Sequence, residues 1–86
     1  MHKKLALLIK EMIDGSPYNR KLFQCDIHEK ETSGFWILTI LVKETNNAHS
    51  ESLYKSLDYI GIIYGESLNI EKKIAINGKG AVISVS

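Results

Sequence analysis

Cysteine, proline and arginine are nearly missing from this 86-residue sequence, which has one of each: Cys25, Pro17 and Arg20. A lone cysteine cannot form an internal disulfide, and this predicts a reducing, cytoplasmic compartment. The longest uncharged and largely apolar stretch, FWILTILV at 35–42, has eight residues. A helix that spans a bilayer needs ~20, so no membrane association is expected. The net charge is +1, with acids and bases mixed along the chain, which argues against a general electrostatic attraction to nucleic acid or anionic membranes.

The length of 86 residues predicts a single domain, 1–86, because chains divide into domains only at several times this size. A core of this size is large enough for about one sheet and two helices. The opening MHKKLALLIKEM begins like a signal peptide, but its apolar part stops at Lys10 and Glu11. No small-residue cleavage site follows, so we interpret this segment as a helix of the folded protein.

Two segments carry apolar residues at helical spacing. The first, 3–14, is expected to end at Gly15 in a left-handed cap before Pro17. The second is expected to begin after an N-cap at Ser50 and to end at Gly65. The predicted buried stripes are Leu5, Leu8, Ile9 and Met12 in the first helix, and Leu53, Leu57, Ile60 and Tyr64 in the second.

Four further segments are typical of strands. KLFQCDIHEKE alternates apolar and polar residues, and the turn ETSG joins it to FWILTILV. SLNIEKKIAI and AVISVS are joined by Asn77-Gly78-Lys79-Gly80, and Asn-Gly is a strong hairpin signal. The element order is α-β-β-α-β-β, which is the ferredoxin-like order with its first strand moved to the end. We therefore expect an α+β fold, a permuted ferredoxin-like two-layer sandwich with a four-stranded antiparallel sheet and both helices on one face.

The permuted order makes a specific demand on the strands: the second and fourth must be central, and the first and third must form the edges. FWILTILV and AVISVS carry no charge, whereas QCDIHEKE and NIEKKIAI carry the charges that protect sheet edges. Lys72 falls on the inward-facing phase of its edge strand, unless a bulge at Lys72-Lys73 changes that phase.

The strand register predicts which side chains form the core and which stay uncovered. The core side is expected to hold Phe23, Cys25, Ile27, Trp36, Leu38, Ile40 and Val42, together with Ile70, Ile74, Ala81, Ile83 and Val85. The opposite face has an apolar centre of Phe35, Ile37, Thr39, Leu41, Val82 and Ala75, and a polar rim of Gln24, Asp26, His28, Glu71 and Lys73. An apolar centre with a polar rim is typical of a contact surface. The sequence thus predicts a non-enzymatic interaction or regulatory module that forms a homodimer or binds a partner protein through this face.

Two candidate chemical sites are alternatives to an interaction module. Cys25 and His28 are three residues apart in a strand, so they point to opposite faces, and neither a metal nor another cofactor is expected. Asp26 and His28 share a face with Thr39 or Ser84, and with Cys25 they define an alternative, a small hydrolase-like or thiol enzyme. An oxyanion donor and a cleft are not evident from the sequence, so we do not expect an enzyme.

Nucleic-acid binding is a further alternative. Phe35 is the one outward aromatic residue of the predicted sheet, with Lys30 and Lys73 nearby. Four basic residues are expected to gather at the corner between the first helix and the first strand: Lys3, Lys4, Arg20 and Lys21. The tyrosines of the second helix, Tyr54, Tyr59 and Tyr64, are interpreted as half-buried.

Overall fold

A computed structural model of the protein describes residues 1–43, 47–74 and 80–86. Its elements are α1 (Lys3–Asp14), α2 (Pro17–Leu22), β1 (Phe23–Glu29), β2 (Trp36–Val42), α3 (Asn47–Tyr64), β3 (Ile70–Ile74) and β4 (Ala81–Val85). The predicted α+β architecture with one four-stranded antiparallel sheet is confirmed, with one helix more than predicted. None of the helices in these described ranges is long and apolar enough to cross a membrane.

The strands lie in the order β1-β2-β4-β3, so the two uncharged strands are central, as the sequence predicted. One row of paired residues runs across the whole sheet: Cys25 lies opposite Ile40, Ile40 opposite Ile83, and Ile83 opposite Lys72. The predicted register of both hairpins is therefore confirmed. The predicted Asn77-Gly78 turn lies outside the described residues.

One hydrophobic core lies between the helices and one face of the sheet. Side chains from α1 and α3 pack there against buried side chains of β1, β2 and β4, and the partly buried Ile70 of β3 packs against the same cluster. The buried residues include Leu5, Ala6, Ile9 and Ile13 from α1, Leu53 and Leu57 from α3, and Cys25, Leu38, Ile40, Val42, Ala81, Ile83 and Val85 from the sheet. Because the strands alternate, every second side chain is left on the other face.

The buried stripe of α1 differs from the predicted one. Leu8 and Met12 were expected in the core, but they are 40% and 37% exposed, whereas Ala6 and Ile13 are fully buried. Both pairs satisfy helical spacing, because a helix carries more apolar residues here than its buried stripe requires. The packing of α1 on the sheet buries Ala6 and Ile13. Leu8 and Met12 stay at the surface, where Leu8 lines a concavity with Tyr64 and Met12 lines another with Ser52.

The predicted left-handed cap at Gly15 is wrong, because Gly15 is right-handed with φ −75° and its N–H donates to the Glu11 carbonyl at 2.7 Å. The chain then starts the unpredicted helix α2. The hydroxyl of Ser16 accepts from the N–H of Asn19 at 3.4 Å, and Pro17 occupies the first helical position. Proline suits that position because it lacks an N–H and has a helical φ. Pro17, before which α1 was expected to end, therefore begins the next helix.

Helix α3 begins at Asn47, so Ser50 lies inside its first turn and is not the predicted N-cap. Ser50 is buried, and its hydroxyl accepts from the Nζ of Lys72 at 3.1 Å. The continuous register of β3 excludes the bulge that the sequence left open, and Lys72 is on the inward phase. The predicted end of α3 at Gly65 is confirmed, with φ +66°.

Candidate functional site: the open face of the sheet

We use the term open face for the side of the sheet opposite the helices. The register sorts its side chains into rows that run across the strands. The rows are Gln24, Leu41, Val82 and Lys73; then Asp26, Thr39, Ser84 and Glu71; then His28 and Ile37. Each full row has an apolar or hydroxyl centre on β2 and β4 and a polar residue at both edges. The rows contain the five predicted rim residues and four of the six predicted centre residues, Ile37, Thr39, Leu41 and Val82.

The centre of the open face is only partly accessible in the described chain. Leu41 is 40% exposed, and Ile37, Thr39 and Val82 are half-buried, because neighbouring side chains on the same face flank them. The predicted centre residue Ala75 lies outside the described residues. The uncovered apolar surface is therefore narrower than the sequence alone suggested.

Phe35 does not lie in mid-sheet, as the sequence predicted. It precedes β2, and its carbonyl accepts the N–H of Lys30 at 2.8 Å where the four-residue turn closes. Phe35 is 63% exposed. It lines a shallow concavity of about 390 Å³ at this end of the sheet, together with Lys30, Ile37 and Ser86.

The rim of the open face is exposed and carries both charges. Gln24, Asp26 and His28 project from β1, and Glu71 and Lys73 project from β3. On β1 the acid Asp26 lies near Gln24 and His28, and on β3 the acid Glu71 lies near Lys73. Neither edge therefore carries a series of charges of one sign. Such a rim does not repel a second surface of mixed charge.

The residues of the alternative enzyme site are separated by the sheet. Cys25 is buried on the helix side, whereas Asp26 and His28 are exposed on the open face. Burial raises the pKa of the Cys25 thiol to about 11, and this effect outweighs the nearby Lys10 ammonium, which lowers that pKa. A thiol with such a pKa holds little of the reactive thiolate at neutral pH. Within the described ranges no three His, Cys, Asp or Glu side chains come together in a way that could hold a metal.

The predicted basic cluster does not form. Lys3 and Lys4 lie in the first turn of α1, and Arg20 and Lys21 lie in the last turn of α2. Arg20 donates from Nη1 to the carbonyl of Asp14 at 3.0 Å, beyond the far end of α1. Since a helix rises 1.5 Å per residue, the two pairs are separated by roughly 16 Å. The α2 turn, which the sequence reasoning missed, carries the second pair away from the first.

A second apolar surface, on the helix side, was missed from the sequence. Tyr59, Ile62, Ile63 and Tyr64 of α3 are each more than half exposed, and we call these four residues the helix-layer patch. The sequence placed Tyr64 in the buried stripe of this helix and indicated a half-buried Tyr59, and both predictions are wrong. A signal was available, because Leu53, Leu57 and Ile60 already complete the buried stripe, so that Ile62 and Ile63 fall outside it.

Comparisons with known proteins found no matching family model, no matching curated protein and no matching solved structure.

Proposed function

We propose that the protein is a non-enzymatic interaction module, which contacts a second copy of itself or a partner protein through the open face. In this proposal the fold is a permuted ferredoxin-like sandwich, and the reducing compartment is the cytoplasm. The fold comparison rests on the element order and on the sheet order β1-β2-β4-β3.

The observation that carries the proposal is the contrast between neighbouring residues of β2. Leu38, Ile40 and Val42 are at most 2% exposed, whereas Leu41 between them is 40% exposed on the other side. The buried side chains of α1 and α3 belong to the core on the helix side. In the described part of the chain, no helix is left to cover the open face. An apolar strand centre that stays exposed to solvent favours aggregation, and an interface that covers it removes this risk.

The size of the face sets the expected affinity. Seven residues of β2 at ~3.3 Å each, and four strands at ~4.8 Å spacing, give a projected footprint of roughly 400 Å². A standard stable interface buries ~800 Å² on each partner. Full burial of Leu41 contributes ~1.5–3 kcal/mol, less the part that is already buried in the monomer. A face of this size is at the low end of specific interfaces, so we expect a weak, transient association.

Sedimentation equilibrium on three proteins tests the self-association version. Ile37→Asp places a charge in the centre of the open face and is expected to abolish the association that this face mediates. Ile62→Asp is the matched control, because it introduces the same charge at a 71% exposed isoleucine of the helix-layer patch. A dimer that Ile62→Asp dissociates and Ile37→Asp preserves would move the interface to the helix side and overturn the proposal.

Partner binding is tested with the same variants. The wild type and Ile62→Asp should capture the same protein from the native host, and Ile37→Asp should not. A wild type that stays monomeric at high micromolar concentration, and captures nothing, would refute both versions.

Nucleic-acid binding is the second candidate, since Lys30 and the exposed ring of Phe35 line one concavity. The separation of the other basic residues argues against it. An oligonucleotide complex through this concavity would weaken steeply with added salt, because phosphate contacts release counterions. Such a complex, abolished by Phe35→Ala, would favour this candidate over protein binding.

An enzyme remains the weaker alternative. Asp26 and His28 stand on an exposed edge strand, and Cys25 lies on the other side of the sheet with a raised thiol pKa. These positions leave no convergent group of acid, base and nucleophile among the described residues, so the proposal contains no catalytic step.

A further inference from the structure

The free edge of β3 offers an unpaired row of backbone groups. Asn69 and Ser86 exchange both backbone hydrogen bonds at 3.0 Å, so Asn69, Glu71 and Lys73 direct their N–H and C=O groups towards β4. In an antiparallel ladder the alternate residues point the other way. Ile70, Lys72 and Ile74 therefore direct their backbone groups away from the sheet, and within the described ranges no group bonds to those of Ile70 or Lys72.

The opposite edge, β1, is obstructed. The N–H of Lys43 donates to the carbonyl of Leu22 at 2.9 Å, which makes Cys25 one of the outward-facing residues of β1. The Nζ of Lys10 donates to that outward carbonyl of Cys25 at 2.9 Å and to Asp14 at 2.6 Å. Helix α1 thus closes the middle of the β1 edge, and the β3 edge is the one left for strand addition.

We propose that β3 pairs antiparallel with β3 of a second copy, across a two-fold axis at Lys72, and joins two four-stranded sheets into one. This contact uses a different surface from the open face and does not depend on the proposed function. The axis position follows from the backbone. With this axis, Lys72 lies opposite Lys72 of the second copy, and Ile70 lies opposite Ile74 of the second copy. Both are hydrogen-bonded pairs of the antiparallel ladder. All of these residues have outward-facing backbone groups.

The charges of β3 select this register. With the axis at Lys72, Glu71 lies directly opposite Lys73 of the second copy, and the two-fold symmetry repeats that pair. Opposite charges at such positions stabilise strand pairing and like charges destabilise it. A shift by two residues in one direction opposes Glu71 with itself, and a shift in the other direction opposes Lys73 with itself. The sequence Ile-Glu-Lys-Lys-Ile is therefore complementary to itself in one register and repulsive in the neighbouring ones.

One like-charge pair remains, Lys72 with Lys72 of the second copy. The side chain of Lys72 reaches across the helix side of its own sheet, and its Nζ donates to the hydroxyl of Ser50 at 3.1 Å. This bond holds the ammonium towards α3 of its own copy, away from the axis. Lys72 thus protects the edge against unspecific pairing without blocking the symmetric contact.

The joined sheet changes the open face as well. A two-fold axis perpendicular to the sheet keeps both sets of helices on one side and both open faces on the other. The footprint of the open face doubles to roughly 800 Å², which is the area that a stable partner interface needs.

The test removes one backbone donor. Lys72→Pro deletes the outward N–H of the central residue but none of the hydrogen bonds to β4, and proline is tolerated at such edge positions. Lys72→Gln is the matched control, because it removes the charge and keeps the N–H. In sedimentation equilibrium we expect the wild type and Lys72→Gln to dimerise. We expect Lys72→Pro to raise the dissociation constant roughly tenfold to a hundredfold, with the native circular dichroism spectrum. A folded Lys72→Pro that dimerises as tightly as the wild type would overturn the proposal.

A second measurement covers the case in which Lys72→Pro does not fold. Glu71→Lys and Lys73→Glu are each expected to be monomeric, because both pairs between positions 71 and 73 become like-charged. They are expected to form a heterodimer when they are mixed, because those pairs are then oppositely charged. Both variants also carry Ile37→Asp, which disables the open face and separates this test from that of the proposed function. Association of either variant alone, or no association after mixing, would refute the edge contact. Loss of the wild-type dimer in Ile37→Asp alone would assign the dimer to the open face and also contradict the edge contact.

Discussion

Two adjacent residues of β2 allow the division between core and open face to be measured. Ile40 is fully buried on the helix side, and Leu41 is 40% exposed on the open face. Ile40→Ala and Leu41→Ala each remove three carbon atoms from the same strand. The difference between their effects therefore reports the environment of each side chain and not its chemistry.

The magnitudes follow from burial. Ile40→Ala deletes fully buried atoms and leaves a cavity in a packed core, which costs about 2–5 kcal/mol. Leu41→Ala loses only the buried part of a side chain whose full burial contributes ~1.5–3 kcal/mol, so roughly 1–2 kcal/mol is expected. A domain of this length has a total stability of ~4–13 kcal/mol. Ile40→Ala is then expected to remove a large fraction of the stability, and Leu41→Ala a small one.

Urea unfolding of the wild type and both variants measures these differences at low micromolar concentration, with equal m-values as the check on two-state behaviour. Equal losses for the two variants at this concentration would refute the assignment of the two faces. The same series at rising protein concentration examines self-association. If a second copy covers the open face, mass action stabilises the wild type, and the deficit of Leu41→Ala grows with concentration. The deficit of Ile40→Ala should exceed that of Leu41→Ala most clearly in the dilute samples.

Three further outcomes rest on a glycine, a thiol and a lysine. Gly80→Ala should cost roughly 3 kcal/mol or more in thermal unfolding, because φ is +104° and a Cβ would lie 2.5 Å from the Val42 carbonyl oxygen. Gly34→Ala, at φ +81° in open space, should cost only about 1–2 kcal/mol, and equal losses would contradict this account. Burial raises the pKa of Cys25 from 9.0 to about 11, so the stability that it contributes should be complete below pH 9 and fall as the pH rises towards 11. Urea unfolding across this pH range checks the slope, and Cys25→Ala should show less of it. Lys10→Met should lower the free energy of unfolding by about 0.5–1.5 kcal/mol, since it removes the donor to the Cys25 carbonyl; an unchanged urea midpoint would contradict this.

The sheet was predictable from the sequence because strand alternation has a period of two, and a shift by one residue would turn every apolar side chain to the wrong face. The four-residue turn between Lys30 and Phe35 fixes the register of the first hairpin. The charges on β1 and β3 marked these strands as edges before their order was known. The residues of the open face on β1, β2 and β4 follow from the same alternation.

The helices were less predictable, since the apolar stripe of a helix is wide and several rotations satisfy it. For α1 only the packing direction on the sheet decides that Ala6 and Ile13 are buried while Leu8 and Met12 are exposed. Helix α2 depends on the hydrogen bond from the Asn19 N–H to the Ser16 hydroxyl. A serine before a proline is equally typical of a simple turn, so the sequence did not predict this helix.

The contacts that join distant segments were decided by the tertiary structure alone. Sequence alternation placed Lys72 on the inward side of an edge strand, but its bond to Ser50 exists because tertiary packing brings the first turn of α3 within reach of the lysine Nζ. In the same way, the separation of Lys3 from Arg20 depends on which ends of α1 and α2 they occupy. Alternation along a strand is a property of the local backbone and can be read from consecutive residues. The distance between two elements depends on how all the others pack, and no local pattern contains it.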